Sequence, residues 1–430
     1  MEMLEEVSNF DQDIEFVTGF AGSGKSTELA KRATRKTLVM TPTHKAAEVL
    51  MKKGVPAYTI HSVLGLIPTI NENFRKGQKI QTLRKIGGTK LDDMTDIFID
   101  EFSMLSMDIL DHLLELLPNH CKVTIFGDPF QLSPVSGEPI DPTYYTDNIT
   151  ELTTQHRADN PEIVETFMRF MMYIKTGDNS IDLRVNLPKG DLSTYNPDTD
   201  RALAYTNAKV LQMNDKIGMS CLGLPEEIVK GEEVLVNDMS AIFMSTNGTP
   251  KGAAFPGTMS KGKMMEGAKF DEKSYEILTN IDKFRTNLSD YDTCVVEIGD
   301  SNYTCWYDVN HYANSKALKQ KVEEMQELVA MNNNIPKEMK LADWCRENRG
   351  QPYVQERGNA WSRYLAHQNI VFNIRRPFAT TIHKAQGQEF DTVYIAQGDI
   401  KRSIRNGYYE TYARLMYVAL SRSIHNVIIV

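Results

Sequence analysis

Short apolar runs, each followed by a polar or glycine-bearing segment, constrain the fold of this 430-residue chain more than any other feature. They lie at residues 14–17, 38–40, 97–99, 123–126, 202–205, 393–395 and 427–430. Runs of this length that are separated by helical stretches predict buried parallel strands in an α/β fold. The runs form two groups, which predicts two sheets: one before about residue 178, and one built from 201–216 and 375–430. Because ligands bind beyond the carboxyl ends of such strands, the polar segments mark candidate sites.

Length, charge and cysteine content narrow the class of protein. A chain of 430 residues predicts several domains, since domains usually have roughly 100–200 residues. Its apolar runs are too short to span a bilayer, and its acidic N-terminus differs from a signal peptide. Five scattered cysteines predict a reduced, cytoplasmic protein without a structural metal. The net charge of -9 is unlike that of a passive nucleic-acid coating protein but is compatible with a narrow basic groove, so charge alone does not decide.

Two segments interrupt the pattern of sheet-forming runs. The segment 67–91 carries six basic residues and one acid, a local charge of +5 in an acidic chain. The segment 232–370 mixes strand-like pieces with a helix whose apolar residues recur at helical spacing, at Leu318, Val322, Met325 and Val329. Such a stripe predicts the core-facing side of the helix. We therefore expect two insertions between the sheet-forming parts.

A glycine-rich loop follows the first apolar run. Residues 19–26 match the pattern G-x-x-x-x-G-K-[ST] between a strand and a helix-compatible stretch. In this pattern backbone N–H groups surround phosphate oxygens, and the helix N-terminus adds a favourable dipole. Lys25 is expected to reach the β- and γ-phosphates of ATP, and the Ser26 hydroxyl to bind Mg²⁺. The residues expected to hold the nucleotide in this loop are Gly19, Gly22, Ser23, Gly24, Lys25, Ser26 and Thr27.

Two further polar segments that follow strands add candidate catalytic residues. Asp100 and Glu101 come directly after the run at 97–99, where one carboxylate can hold Mg²⁺ and the next can polarise the attacking water. We expect Asp100 to join Ser26 at the metal. Gln131 follows the run at 123–126, and a glutamine there can hydrogen-bond a γ-phosphate or the attacking water without acting as a base. A simple turn at 127–129 is the alternative interpretation of that segment.

Taken in order, these motifs resemble those of superfamily 1 helicases, in the group that contains the RecD and phage Dda proteins. The matching segments lie at 19–26, 41–47, 59–62, 100–101, 127–135, 152–157, 381–387 and 417–422. The resemblance implies two RecA-like parallel-sheet motor domains, at 1–66 with 92–185 and at 186–231 with 371–430. It also implies a small hairpin subdomain at 67–91 and an SH3-like β-barrel plus helical domain at 232–370.

The resemblance implies roles for single residues as well. Arg157 and Arg422 resemble the two arginines that reach the γ-phosphate, for which a planar and permanently charged guanidinium is suited. Gly387 and Glu389 resemble the segment that links the nucleotide to the second motor domain. Gln12 is the glutamine available for an adenine-reading role. It lies too close to the glycine-rich loop for a full helix between them, so the choice between ATP and other nucleoside triphosphates stays open.

Small polar and basic residues are expected to contact the phosphates and sugars of a DNA strand without reading its sequence. By resemblance to the family these are Thr43, His44, His61, Ser62, Thr206, Asn207, His383 and Lys384. Phe74, in the insert 67–91, is a candidate strand-separating pin, because an exposed aromatic ring can stack on a base pair. A solvated basic loop is the alternative interpretation of the insert.

The function that the resemblance implies is that of an ATP-dependent DNA helicase that moves 5′ to 3′ on single-stranded DNA and uses Mg²⁺. Such a protein would be phage-encoded and would act as a monomer in the host cytoplasm. Its expected partners are single-stranded DNA and forked duplex DNA, with single-strand-binding or replication proteins. The alternative is a translocase that displaces proteins from one strand without separating two. A single-domain kinase with the same loop would not need the distant arginine motif at 415–422.

Overall fold

The fold is described from a computed structural model of the chain. It describes residues 12–63, 66–70, 81–85, 94–134, 137–156, 159–237, 243–245, 250–251, 260–267, 292–298, 301–332, 335, 341–348, 350–369, 371–404 and 409–430. The chain divides into two compact units, Met1–Val210 with Thr380–Val430 and Leu211–Ala379. In these ranges no helix combines the length and the apolar character that crossing a membrane requires.

The elements follow one another along the chain in an order that alternates strands and helices at both ends. The strands are β1 (Asp13–Gly19), β2 (Thr37–Thr41), β3 (Ala57–Thr59), β4 (Leu66–Ile70), β5 (Gln81–Lys85), β6 (Asp96–Ile99), β7 (Lys122–Gly127), β8 (Ile149–Leu152), β9 (Arg201–Ala204), β10 (Glu233–Asn237), β11 (Phe243–Ser245), β12 (Pro250–Lys251), β13 (Ser260–Gly267), β14 (Asp292–Ile298), β15 (Ser301–Asp308), β16 (Val371–Arg375), β17 (Ala379–Thr381), β18 (Phe390–Ile395) and β19 (Ser423–Ile429). The helices are α1 (Lys25–Arg32), α2 (His44–Lys52), α3 (Ile60–Val63), α4 (Met107–Leu116), α5 (Pro161–Thr176), α6 (Asn207–Lys216), α7 (His311–Asn332), α8 (Leu341–Glu347), α9 (Pro352–Asn369), α10 (Gln397–Ile400) and α11 (Tyr409–Leu420).

The first sheet is parallel and has the strand order β3-β2-β6-β7-β1-β8. Alternate residues of its strands face two separate cores, as the pleat of a strand requires. On one face Phe16 and Ile97 pack with Leu110 of α4. On the other face Val17 packs with Leu29 of α1. Both faces are therefore covered, which is why the central strands read as continuous apolar runs in the sequence.

The second sheet has the order β17-β9-β18-β19, and its strands β9, β18 and β19 are parallel. Its helix α11 packs against α5, which follows the last strand of the first sheet. Phe130 and Phe167 from the first group share one buried cluster with Val393 and Tyr417 from the second. The prediction of two parallel sheets from seven apolar runs is confirmed, and the shared core places both in one compact unit.

The insert at 67–91 contains an antiparallel pair of strands, β4 and β5, that pairs Leu66 with Lys85 and Ile70 with Gln81. The strand pair begins one residue before the predicted boundary of the insert. Residues 71–80, with Phe74, lie outside the described residues. The role of Phe74 therefore stays a prediction.

The second unit contains a seven-stranded sheet in the order β12-β11-β15-β14-β13-β10-β16. Because β16 pairs with both β10 and β15, five of these strands close on themselves. The apolar stripe predicted for the helix is confirmed at three of its four residues: Val322 and Met325 of α7 pack on Ala360 of α9, whereas Leu318 is half-buried. Val329 packs on Val354. A barrel of SH3 type stays the interpretation that the sequence suggests for this sheet.

Candidate nucleotide-binding site

The glycine-rich loop turns sharply between β1 and α1. Gly22 and Gly24 have φ angles of 83° and 89°, in the left-handed region that favours glycine. The carbonyl of Gly24 accepts a hydrogen bond from the Thr27 N–H at 3.0 Å, which starts the helix. Gly19 has no room for a side chain, because a Cβ atom would lie 2.5 Å from Ser23 Oγ. Local geometry thus explains the glycines and places the loop at a helix N-terminus.

Two polar side chains of the loop are arranged for a ligand. Lys25 Nζ donates to the carbonyls of Gly19 and Phe20 at 2.8 and 2.9 Å. Charged phosphate oxygens accept stronger hydrogen bonds than carbonyls do, so a nucleotide can compete for this ammonium group. Ser23 Oγ is buried and has no hydrogen-bond partner in the described part of the chain. A buried hydroxyl without a partner costs free energy, which favours a bound group beside it.

The carboxylate pair lies at the end of β6. Burial raises the pKa of Asp100 to about 7, the adjacent charge of Glu101 adds to the rise, and the charge of Lys25 opposes it. The positive charge of Lys25 therefore acts on the carboxyl group of Asp100. Glu101 has φ 58°, and it is the non-glycine residue with positive φ in the described ranges. Strain of this kind is characteristic of functional positions.

The donors at this site suit Mg²⁺. Ser26 is half-buried at the start of α1, and Asp100 is buried at the end of β6, where the charge of Lys25 opposes the rise of its pKa. Hydroxyl and carboxylate oxygens are the ligands that Mg²⁺ prefers, together with phosphate oxygens of a substrate. Glu101 Oε2 is buried and has no hydrogen-bond partner among the described residues. A buried carboxylate oxygen without such a partner is able to accept a hydrogen bond from a water molecule.

Three residues that the sequence analysis gave no role connect the two sheets at this site. Asp128, which follows β7, is fully buried and accepts a hydrogen bond from the Tyr417 hydroxyl at 2.7 Å. The same hydroxyl accepts a hydrogen bond from the Ala21 N–H of the glycine-rich loop at 2.7 Å. Arg414 Nη1 donates to the carbonyls of Pro129 and Gln131 at 2.8 Å each. Tyr417 stood within a quoted motif, but no local pattern indicates that its hydroxyl reaches the other sheet.

The polar segment after β7 also meets the second sheet through Gln131. The Gln131 side chain is buried, and its Oε1 accepts a hydrogen bond from Gln386 Nε2 at 3.3 Å. Its own amide lies 3.5 Å from Asp128 Oδ2. The Gln131 amide thus contacts Gln386 of the second sheet and lies near Asp128 of the first, so movement of either sheet would alter its position. A turn at 127–129, the alternative interpretation of this segment, is compatible with that position of the Gln131 side chain.

Gly387 brings the second sheet near the carboxylate pair, and Arg422 contacts the residue that follows Gly387. A Cβ atom on Gly387, whose φ is 73°, would lie 3.9 Å from Glu101 Oε1. Arg422 is buried, and its guanidinium donates to the carbonyls of Val418 at 3.2 Å and Gln388 at 3.4 Å. Arg422 therefore lies next to the turn at Gly387, and its contact with a nucleotide stays a prediction.

Other predicted nucleotide residues lie in different settings. Gln12 Nε2 donates to the carbonyls of Leu114 and Leu117 at 3.0 and 3.2 Å, so its amide holds the end of α4. Glu389 is exposed just after the Gly387 turn. Arg157 lies outside the described residues. The roles given to these three residues stay predictions.

The strand-contacting residues expected in the first group follow two adjacent strands, β2 and β3. Thr43 caps α2, and its hydroxyl accepts a hydrogen bond from the Ala46 N–H at 3.2 Å. Ser62 is exposed, and its hydroxyl donates to the carbonyl of Thr59 at 2.8 Å. The side chains of His44 and His61 lie outside the described residues. The sheet thus brings the segments after β2 and β3 to the same edge.

The second group follows β9 and β17, which are also neighbours. Thr206 donates its hydroxyl proton to Asp399, whose carboxylate also accepts the Tyr205 N–H at 2.9 Å and the Thr206 N–H at 2.7 Å. Since a hydroxyl has one proton, Thr206 Oγ1 can accept but not donate another hydrogen bond in this arrangement. The rings of Tyr205 and His383 lie 6.4 Å apart. Burial lowers the pKa of His383, so its imidazole is neutral at neutral pH.

Asn207 and Lys384 complete this second group. Asn207 is the first residue of α6 and is half-buried. Lys384 is half-buried in the short turn after β17, where its carbonyl accepts a hydrogen bond from Gln388 Nε2 at 2.6 Å. The turn that carries His383 and Lys384 is therefore tied to the residue that Arg422 also contacts. Their contacts with a strand stay predictions.

Family models match both ends of the chain. One described as an AAA domain matches residues 1–184, which include the glycine-rich loop and the carboxylate pair. One described as a UvrD-like helicase C-terminal domain matches residues 378–430, which include Gly387 and Arg422. The two matched segments together contain the residues that meet at the site.

Relatives of known name match as well. The ATP-dependent DNA helicase dda of Enterobacteria phage T4 is 24% identical over 96% of this chain and 93% of its own length. The RecD subunit of the RecBCD enzyme of Mycolicibacterium smegmatis is 24% identical over 42% of this chain and 36% of its own length. Among solved structures, a Pif1 helicase from Bacteroides with ADP-AlF3 and single-stranded DNA is 18% identical with a TM-score of 0.46, covering 98% of this chain and 89% of that one.

Proposed function

Because the chain is a superfamily 1 helicase related to the phage Dda protein, we propose that it unwinds duplex DNA by moving 5′ to 3′ along one strand at the expense of ATP. The proposal includes phage origin and action as a monomer together with single-strand-binding or replication proteins. The direction of movement and the origin rest on the likeness to the phage relative. The substrate and the use of ATP rest on that likeness and on the site.

The observation that carries the proposal is the approach of Gly387 to Glu101. These residues come from different sheets, and a Cβ atom on the glycine would lie 3.9 Å from the carboxylate. A nucleotide bound in the glycine-rich loop beside this approach would contact both sheets at once. A change in that nucleotide can therefore change the distance between two sheets that each carry candidate strand contacts. This is what a motor requires and what a single-sheet kinase lacks.

The residues of the site have complementary chemistry for hydrolysis. Lys25 and the loop N–H groups would bind the β- and γ-phosphates, and Ser26 with Asp100 would hold Mg²⁺, which neutralises phosphate charge. Glu101 would accept a proton from the attacking water, which Gln131 would help to orient. Arg422 would stabilise negative charge on the γ-phosphate from the second sheet, and Arg157 would do so from the first.

Movement would follow from alternate gripping. Closure of the two sheets on ATP would shorten the distance between the strand contacts after β2 and β3 and those after β9 and β17. Hydrolysis would lengthen it again. If one group releases the strand while the other holds it, each cycle advances the protein. Strand contacts through phosphates and sugars suit this use because they do not depend on base sequence.

Strand separation would involve the insert at 67–91. Its antiparallel pair of strands supports a projecting hairpin, and Phe74 lies in the segment that joins them. Phe74→Ala is expected to slow unwinding of a forked duplex more than it slows ATP hydrolysis. Equal losses of both rates would contradict a pin.

The test of the proposal is unwinding of matched duplexes that carry either a 5′ or a 3′ single-stranded overhang, with ATP and Mg²⁺. Unwinding of the 5′-tailed duplex alone is expected, with ATPase activity that single-stranded DNA stimulates. Unwinding of the 3′-tailed duplex alone would show that the protein moves 3′ to 5′ and would contradict the proposed direction. Strand-stimulated ATPase that removes streptavidin from a biotinylated strand, but unwinds neither duplex, would favour the translocase.

A further inference from the structure

The hydroxyl of Tyr417 joins three segments that are far apart in the sequence. It accepts a hydrogen bond from the Ala21 N–H in the glycine-rich loop and donates one to Asp128 Oδ2, both at 2.7 Å. Ala21 and Asp128 belong to the first sheet, whereas Tyr417 belongs to α11 of the second. One hydroxyl group thus hydrogen-bonds the loop that binds phosphate and the strand end that precedes Gln131.

The surroundings of this hydroxyl make the junction rigid. Tyr417 and Asp128 are both fully buried. The Tyr417 ring makes edge contacts with Phe130 and Phe167, at centroid distances of 6.2 and 5.9 Å. Burial raises the pKa of Tyr417 well above its usual value, and the charge of Asp128 adds to this, so the hydroxyl keeps its proton. Opening this contact would expose apolar rings and remove from the buried Asp128 Oδ2 its shortest hydrogen bond, leaving the Gln131 amide at 3.5 Å, which is costly.

Further contacts lead from Tyr417 to the residues that we expect to face the nucleotide. Val418, the residue after Tyr417, accepts a hydrogen bond from Arg422 Nε at 3.2 Å. Arg422 in turn donates to the carbonyl of Gln388, which is adjacent to Gly387. Gly387 faces Glu101. These contacts therefore connect the glycine-rich loop through α11 to the turn at Gly387, which lies near Glu101.

We propose that Tyr417 is a positioning residue that forms a fixed pivot between the two sheets, sets Arg422 relative to the phosphate loop, and couples ATP hydrolysis to movement along the strand. The proposal rests on the proposed helicase function. In this mechanism the cleft opens and closes on the side of Glu101 and Gly387, while the buried side at Tyr417 stays closed. The hydroxyl keeps the distance between Ala21 and Arg422 constant. When the cleft closes on the nucleotide, the second sheet therefore rotates about Tyr417.

The test compares Tyr417→Phe with Tyr412→Phe, its matched control. Both tyrosines are buried on α11, but the Tyr412 hydroxyl accepts a hydrogen bond from Gln397 Nε2 at 3.3 Å, a residue that follows β18 of the same sheet. Tyr417→Phe keeps the ring contacts and removes one hydroxyl. Its turnover with saturating ATP and single-stranded DNA is expected to fall about tenfold, as loss of a hydrogen bond to a charged group predicts. Tyr412→Phe is expected to keep the wild-type turnover.

The deciding measurement is the number of ATP molecules hydrolysed per base pair unwound. This ratio does not depend on the fraction of folded enzyme, so a merely structural defect leaves it unchanged. It is expected to rise several-fold in Tyr417→Phe and to equal the wild-type value in Tyr412→Phe. An unchanged ratio in Tyr417→Phe would overturn the proposal, even if its turnover or thermal stability fell.

A double substitution tests whether Tyr417 and Asp128 act through the hydrogen bond between them. Asp128→Asn is expected to raise the same ratio, and Asp128→Asn with Tyr417→Phe to raise it no further than the larger single effect. Effects that multiply would mean that the two residues act independently, which contradicts the path. If the wild-type protein shows no strand-stimulated ATPase, the proposed function fails instead, and that outcome is visible before any variant is compared.

Discussion

Glu101 and Gly387 belong to different sheets, yet a Cβ atom on Gly387 would lie only 3.9 Å from Glu101 Oε1. Both residues have positive φ, 58° for the glutamate and 73° for the glycine. Two turns of unusual backbone conformation therefore face each other across the site. The arrangement leaves the carboxylate next to main chain of the second sheet, where movement of either sheet alters its surroundings.

Gly387→Ala is expected to lower the free energy of unfolding by about 1–2 kcal/mol, because an alanine in the left-handed region is strained. The added methyl group also approaches Glu101, so strand-stimulated ATP hydrolysis should fall. Chemical denaturation and steady-state ATPase assays measure the two effects. Gly398→Ala is the control, since that glycine has no atom within 4 Å of a built Cβ and no positive φ. Equal behaviour of the two variants would contradict a special role for Gly387.

Glu101→Gln is expected to lower the rate of ATP hydrolysis by about 10²–10⁴-fold, the usual contribution of a general base. The amide is nearly the same size, so binding of ATP measured by equilibrium titration should change little. Glu115→Gln, an exposed position on α4, should retain full activity. Hydrolysis by Glu101→Gln at the wild-type rate would remove Glu101 from the chemistry.

Arg422→Lys is expected to lower strand-stimulated turnover by about 10³-fold or more, as loss of an arginine at a transferring phosphate does. Lysine keeps the charge but cannot reproduce the fork that contacts Val418 and Gln388. Single-turnover ATPase measurements and ATP titration separate chemistry from binding. Arg184→Lys, an exposed site, should behave as wild type. If Arg422→Lys binds ATP more weakly but hydrolyses bound ATP at the wild-type rate, the proposed role of Arg422 is contradicted.

Lys384→Gln is expected to lower the slope of log affinity against log salt concentration by about 0.7 for single-stranded DNA, as loss of one phosphate contact predicts. His383→Gln should leave this slope unchanged at pH 7.5, because burial lowers the pKa of His383 and keeps its ring neutral. Fluorescence anisotropy at several salt concentrations measures both slopes. An unchanged slope in Lys384→Gln would mean that this lysine does not contact a phosphate.

The buried imidazole of His383 also predicts how stability depends on pH. Its pKa is lowered in the folded protein, so below about pH 6.5 the unfolded chain binds more protons at this residue than the folded one. The stability that depends on the neutral ring is therefore present at neutral pH and is lost as the pH falls. Urea denaturation between pH 7 and pH 5 should show a steeper loss for wild type than for His383→Gln. Parallel curves would contradict this assignment.

The local patterns of the chain predicted much of the fold. Seven apolar runs became strands of two parallel sheets, and the glycine pattern became a loop at a helix N-terminus. The resemblance to superfamily 1 helicases could also be recognised from the sequence motifs, and the matches to phage Dda helicase and RecD bear it out. The edge strands β3 and β17 were not predicted, since three residues carry too little periodicity to distinguish a strand.

The sequence by itself determined the seven principal strands and the glycine-rich loop that we expect to bind a triphosphate, because strand periodicity and the loop pattern depend on neighbours close in the chain. Only the tertiary structure decided that the Tyr417 hydroxyl hydrogen-bonds Ala21 and Asp128, and that the Thr206 hydroxyl donates its hydrogen bond to Asp399. These hydrogen bonds join residues more than 190 positions apart. A hydroxyl group has the same local sequence signature whichever partner it finds, so the choice of partner follows from packing of the two sheets into one core.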